Sequence, residues 1–220
     1  SIDNTSTGAY SFTLGPNPID HATLNDVADD DTENDLTLNL GAFVQAEDND
    51  GDKVIAQADD IVATVDDDMP KLTDTPVTFT VDEDFLANGI DDNSQPGDVT
   101  DGSATASGNV TGLFLSGADT PLTYSMVSGT DAAAALDGLP SLTSGDATVL
   151  YNLTGNTLTA YVGTLTPENT VFTFSIDNTS TGAYSFTLGP NPIDHATLND
   201  VADDDTENDL TLNLGAFVQA

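Results

Sequence analysis

Two stretches of this chain carry oxygen ligands at spacings that suit a hard metal ion. In Glu47-Asp48-Asn49-Asp50-Gly51-Asp52, the carboxylates of Asp48, Asp50 and Asp52 fall on alternate residues around a glycine. Carboxylates at i, i+2 and i+4 in such a loop can converge on Ca2+, which takes about six to eight oxygens. The second stretch sets Asp66, Asp67 and Asp68 directly before Met69-Pro70, with Asp82, Glu83 and Asp84 soon after. A further acidic run, Asp29, Asp30, Asp31, Glu33 and Asp35, is duplicated from Asp203 onward. None of these is an EF-hand. Aligning Gly51 with the invariant EF-hand glycine puts Ala46 at the first ligand position and Gln57 at the last.

The argument for an imported cation is the shortage of internal ones. The chain has 38 Asp plus Glu against 2 Lys plus Arg, a formal net charge of −36. The two cations are Lys53 and Lys71. Every other carboxylate needs water, a hydrogen-bond donor or an external ion, and adjacent aspartates repel each other. No basic patch exists to offset phosphate, which excludes DNA and RNA and disfavours an anionic membrane surface. Two plainer readings stand beside calcium. The clusters can be solvated loops, or the protein can be acidic and salt-adapted, in which case NaCl stabilises it as well as calcium does.

The elements that must hold these loops read as strands. Period-two alternation runs through Tyr10–Leu14, Leu36–Leu40, Val77–Val81, Leu122–Met126 and Val171–Phe174. Val149–Leu153 and Leu158–Val162 flank Thr-Gly-Asn-Thr and predict a hairpin, with Gly155-Asn156 supplying positive φ. Turn clusters at Gly15–Pro18 and Ser94–Gly97 punctuate the strands. Only Asp131–Leu136 suggests a short helix. Many short strands with regular turns predict an all-β, antiparallel β-sandwich. With 38% hydrophobic residues the chain can build a core. Cysteine is absent, so neither disulfides nor thiolate chemistry contribute. No apolar run reaches the roughly 18 residues that span a bilayer.

Ser1–Ala46 recurs without a mismatch as Ser175–Ala220, an offset of 174 residues. The chain is therefore one period of a tandem array plus part of the next, and an error-free repeat suits a protein that serves length. A period this long fits one large sandwich, or a sandwich carrying a split or inserted subdomain. Val54–Val65 reads as a last strand bent at Asp59-Asp60, and Thr78–Asp84 as the first strand of the next unit. That places residues 1–69 as the C-terminal part of one unit and 70–220 as most of the next. Starting in mid-pattern at Ser1, the chain is expected to be a piece of a longer array.

The order Gly8-Ala-Tyr-Ser-Phe-Thr-Leu14, Asn17-Pro-Ile-Asp-His21, Ala46-Glu-Asp-Asn-Asp-Gly-Asp52 and Ile61-Val-Ala-Thr-Val-Asp-Asp-Asp-Met-Pro70 resembles the long repeats of RTX adhesins. Phe79–Asp84 and Leu142–Asp146 also look like parts of such a repeat. These adhesins are giant surface proteins of Gram-negative bacteria, exported by type I secretion. The resemblance implies an Ig-like or cadherin-like β-sandwich in the extender region, binding Ca2+ and projecting a distal ligand-binding domain from the cell. It implies an extracellular, cell-surface location and neighbouring repeats of the same chain as partners. The Gly-Gly-x-Gly-x-Asp nonapeptides of the secretion region are absent, as expected of an extender.

An enzyme is not expected. His21 and His195 occupy one repeat position, no Gly-x-Ser-x-Gly elbow occurs, and no Trp is present to line a sugar cleft. A small-molecule substrate is not expected either. The competing function is a module that binds carbohydrate or another surface through Thr-rich strands or through calcium.

Overall fold

The computed structural model describes residues 1–19, 35–89, 102–195 and 210–220. The acidic runs at 29–33 and from Asp203, the Ser94–Gly97 turn and His21 lie outside them. The described chain forms two compact units, Ser1–Met69 with Ser116–Thr120, and Pro70–Leu115 with Pro121–Ala220.

The first unit is built from short hairpins. Strands β1 (Ile2–Asn4) and β2 (Ala9–Tyr10) pair antiparallel. β3 (Leu36–Asn39) pairs with β6 (Val62–Val65), and β4 (Gln45–Glu47) with β5 (Lys53–Ile55). The bend expected at Asp59-Asp60 is a 3-10 turn, Ala58–Asp60. Asp60 Oδ2 there accepts from the Gln57 N–H at 2.7 Å, so a carboxylate offsets the turn's unpaired amide. Gly41 lies so close to this turn that a Cβ would run into the Gln57 carbonyl oxygen. Among the described residues the unit's one buried hydrophobic side chain is Val65, while Phe43, Val54 and Ile55 are exposed.

The second unit holds the core. Its strands are β7 (Lys71–Leu72), β8 (Thr105–Asn109), β9 (Phe114–Leu115), β10 (Ser125–Met126), β11 (Thr143–Ser144), β12 (Ala147–Thr154), β13 (Thr157–Val162), β14 (Thr170–Asn178), β15 (Ala183–Leu188) and β16 (Val218–Gln219). Six form one antiparallel sheet in the order β11-β12-β13-β14-β15-β8. Two-residue ladders join β7 to β9 and β10 to β16. The expected helix is α1 (Gly129–Asp137). The chain is thus mostly β and antiparallel, as its alternation predicted.

Alternation sets the burial. β15 reads Ala-Tyr-Ser-Phe-Thr-Leu, with Tyr184, Phe186 and Leu188 buried on one face. Phe186 stacks on Phe172 at 5.1 Å between ring centroids. Phe172, Phe217, Leu158 and Val171 are fully buried, each contributing roughly 1.5–3 kcal/mol by leaving water. The hairpin β12–β13 closes as expected through Gly155-Asn156, but positive φ falls on Gly155 alone. Asn156 is recruited elsewhere: its Oδ1 accepts from Met126 N and its carbonyl from Ile176 N.

Two expected strands are corrected. Val77–Val81 makes no ladder, and the stretch expected to continue it to Asp84 turns into a 3-10 helix, Glu83–Phe85. Asp82 Oδ1 caps that turn by accepting from Asp84 N at 2.9 Å, so a local carboxylate outcompetes strand pairing. Phe79 still faces inward, packing on Tyr184 and Phe186 at 5.4 and 5.3 Å. Of Leu122–Met126 only Ser125-Met126 pairs.

The two 46-residue copies have one sequence and different surroundings. Tyr10, Phe12 and Leu14 are exposed, yet their equivalents Tyr184, Phe186 and Leu188 are buried. Phe43 is 85% exposed and Phe217 is 0%. The glycines reverse this asymmetry: Gly41 is crowded by Gln57, whereas Gly215 meets nothing within 4 Å. We therefore expect Gly41→Ala to destabilise the first unit by about 1–3 kcal/mol, the usual penalty for overpacking. Gly215→Ala should leave the second unit within about 0.5 kcal/mol, as surface substitutions do. Denaturant melts of the two single variants make the comparison.

Candidate metal centre

The β4–β5 hairpin positions the first acidic group. Glu47 and Lys53 face each other at its end, with Lys53 Nζ 3.1 Å from Glu47 Oε2. The five residues between them form a loop held by a single carboxylate oxygen. Asp48 Oδ1 accepts from the N–H groups of Asp50, Gly51 and Asp52 at 3.3, 3.1 and 2.9 Å. The Asp48 N–H closes the loop onto the Asp52 carbonyl at 3.0 Å. Gly51 takes φ +99°, which a side chain would resist.

This geometry brings one oxygen from each of Asp48, Asp50 and Asp52 within 4.8 Å of one another. All three residues are exposed. The Asp50 carboxyl beside it, then the backbone amides of Asp52, Asp50 and Gly51, hold the Asp48 carboxyl below the usual aspartate range. It stays ionised, as a metal ligand must. Three hard oxygen donors, no nitrogen or sulfur, and open sides for water fit an exposed oxygen-ligated cation. The triad can hold a metal ion. Among the described residues it is the one such convergent group of three or more acidic or His side chains.

The other expected ligands are placed differently. Asp66, Asp67 and Asp68 follow β6, with Asp66 and Asp68 exposed and Asp67 half-buried. Asp68 Oδ2 accepts from Ala118 N at 2.8 Å, and Asp67 Oδ1 from Asp68 N at 3.0 Å. Both carboxylates therefore already serve as loop acceptors. In the second unit Asp82, Glu83 and Asp84 are half-buried. Asp82 Oδ1 caps the 3-10 turn, while its Oδ2 is buried against Gly102 and accepts no hydrogen bond. Glu83 Oε1 accepts from Ile193 N at 2.7 Å, and its Oε2 lies 3.6 Å from His195 Nε2.

The Asn191-Pro-Ile-Asp-His195 stretch acts as a staple that sequence reasoning did not assign. Asn191 Nδ2 donates to the Glu168 and Thr170 carbonyls, and Ile193 is buried. Asp194 clasps the β11–β12 turn, accepting from Gly145 and Asp146 N–H at 2.9 Å each. Both turn residues have positive φ, so the carboxylate fixes a strained turn from 48 residues away. The only sequence trace of this was the appearance of both motifs in one repeat.

These groups give opposite pH dependences. Burial raises the Glu83 pKa, opposed by Ile193 N–H and His195 and reinforced by Asp194 and Asp82. Its folded pKa lies above the unfolded one, so its ionisation costs stability, and acidification toward the ordinary glutamate range restores that stability. Asp194 is lowered by Thr143 and by the Asp146 and Gly145 amides, so its contribution is present above the unfolded aspartate pKa. It is lost as pH falls through the lowered value. In metal-free buffer the second unit should gain stability just above the carboxylate range and lose it below. Glu83→Gln should abolish the gain and leave the acid limb, which melts across pH would register.

Among the described residues no helix is long and apolar enough to cross a membrane. Comparison with family models, with curated proteins and with solved structures finds no match to this chain.

Proposed function

We propose that this chain is a calcium-stabilised spacer, an extender module of a bacterial surface adhesin of the RTX kind. Its Ig-like or cadherin-like sandwich repeats in tandem to hold a distal binding domain away from the cell, and calcium stiffens the places where one repeat follows the next. The observation that carries this reading is the convergence of Asp48, Asp50 and Asp52 in a hairpin loop of a chain with net charge −36 and a perfect repeat. Two further features support it. Asp82 Oδ2 is a buried carboxylate oxygen with no donor, a position that a cation would satisfy. Asp66–Asp68 stand directly before Pro70, which restricts the backbone at that point.

The test is small-angle scattering on a chain of several periods in calcium, in magnesium and in EDTA. Calcium should lengthen the maximum dimension and narrow its distribution relative to EDTA. An array whose dimensions are the same in all three solutions is not a calcium-stiffened rod.

A second reading, a module that binds carbohydrate or another surface, has one feature in its favour. An open groove of about 460 Å³ runs over the second unit's sheet, lined by Asn152, Thr154, Thr157, Thr159, Leu165, Thr166, Pro167, Thr170 and Thr173. Its exposed lining is mainly apolar, with threonine hydroxyls and one amide beside it, which suits the apolar face of a sugar ring. A glycan array probed with the whole chain separates the readings: binding lost in Thr159→Val would favour this one.

A further inference from the structure

We propose that Asn178 is an acceptor for N-glycosylation, presented once in each 174-residue period by the loop between β14 and β15. The chain carries four Asn-x-Ser/Thr sequences, at Asn4, Asn109, Asn152 and Asn178. Asn4-Thr-Ser and Asn178-Thr-Ser are one repeat position. Sugar transferases read such sequences on exposed loops, and the motif by itself does not choose among the four. Their geometry does.

The base of the β14–β15 loop is fastened to the core. Gly182 N–H donates to the Asn178 carbonyl at 2.8 Å, and Gly182 takes φ +66°. Gly182 is buried against Val110 and Tyr124, where a Cβ would press on both. Tyr124 N–H donates to the Thr179 carbonyl at 2.7 Å, and Val110 N–H to the Gly182 carbonyl at 2.9 Å. Asn178, Thr179, Ser180 and Thr181 above this base are exposed. The Asn178 side chain folds onto the loop, its Oδ1 accepting from the N–H groups of Ser180 and Thr181 at 3.0 and 3.1 Å. Its Nδ2 donates to nothing among the described residues. Asn4 repeats the arrangement with Ser6 and Thr7 at 2.9 and 3.2 Å, so the loop's own sequence sets this geometry.

An amide nitrogen is a weak nucleophile because its lone pair is shared with the carbonyl. It becomes a strong one when Nδ2 loses a proton and negative charge builds on Oδ1. Two backbone N–H groups already point at that oxygen, as donors do in an oxyanion hole. In the transfer, a base of the transferase takes the proton from Nδ2. The nitrogen bonds to C1 of the hexose of a nucleoside-diphosphate sugar. The C1–O bond to the diphosphate breaks, and its electron pair leaves with the nucleoside diphosphate. Ser180, two residues on, carries the hydroxyl that the transferase reads.

The two remaining sequences are closed in the folded chain. Asn109 Nδ2 donates to the Thr181 carbonyl, so the nitrogen itself is engaged. Asn152 is half-buried in the β12–β13 ladder. Its Oδ1 takes the Thr154 hydroxyl at 2.8 Å, which occupies the group a transferase must recognise.

The test uses the folded chain, a nucleoside-diphosphate hexose and an N-glycosyltransferase that modifies synthetic peptides of all three distinct sequences. The peptides give the intrinsic rates. Asn4→Gln leaves Asn178 as the one site of its kind, and peptide mass spectrometry locates each added hexose. Asn178 should react at least as fast as its peptide. Asn109 and Asn152 should react roughly tenfold more slowly than theirs, the worth of one hydrogen bond that must first break. Ser180→Ala should abolish the Asn178 product while leaving the melting temperature unchanged. The proposal is overturned if folding shields Asn178 as much as it shields the others. It is also overturned if Asn109 or Asn152 takes up hexose in the folded chain as readily as Asn178.

Discussion

Phe217→Ala should destabilise the second unit by about 3–5 kcal/mol, while Phe43→Ala should change neither unit by more than about 0.5 kcal/mol. The two phenylalanines occupy the same repeat position, within the same 46 residues. Local propensity and near-neighbour effects in the unfolded chain are therefore matched between the variants, leaving tertiary surroundings as the variable. Phe217 is fully buried and its carbonyl accepts from Val127 N, so truncation leaves a cavity beside a fixed backbone. Phe43 faces solvent. For a unit of this size the expected loss lowers the melting temperature by roughly 10 °C. Calorimetry on the two single variants reads it. Equal losses in both would show that Phe43 is covered in solution.

Calcium at about ten times its Kd should stabilise the first unit by ~1.4 kcal/mol for each ion bound. Among the described residues the unit buries little hydrophobic surface, so an increment of this size is a large share of its stability. Extracellular calcium modules bind with Kd on the order of 10⁻⁴–10⁻³ M, which makes millimolar calcium the range to scan. Magnesium should do less, because it demands a tight octahedron and gives up water reluctantly. Sodium chloride at matched ionic strength screens repulsion without bridging carboxylates. Asp52→Asn is the informative variant, since it removes one charge while Asp48 keeps its three backbone donors. Thermal melts of both chains in EDTA, calcium, magnesium and sodium chloride give the comparison. A calcium shift that persists in Asp52→Asn would falsify the triad as its source. A shift that sodium chloride reproduces would favour the salt-adapted reading.

Local features were legible in the sequence, and burial was not. The Thr154-Gly155-Asn156-Thr157 turn, the bend at Asp59-Asp60, the short helix expected at Asp131–Leu136 and the Asp48–Asp52 loop all depend on residues within a few positions of each other. Spacing and glycine placement specify such features. Tyr10–Leu14 and Tyr184–Leu188 show where legibility ends, because one alternating string gives an exposed segment in one place and a buried strand in another. Alternation states that a face can be buried. Whether it is buried depends on what stands opposite, here residues 105–109 and 157–174. Val77–Val81 fails for a related reason: its pattern serves packing of Phe79, and among the described residues no strand pairs with it. The Asp194 clasp on Gly145-Asp146 joins distant residues and left no local signature. For the metal site, spacing pointed to Asp48, Asp50 and Asp52, but charge alone did not separate them from Asp67 and Asp68, which are engaged as loop acceptors.

The two-residue ladders β7–β9 and β10–β16 bear on how the second unit would open. Each would part at a smaller load than the β12–β15 ladders, which run over five or six residue pairs. The unit would therefore yield in stages when stretched, its short ladders first and the six-stranded sheet last.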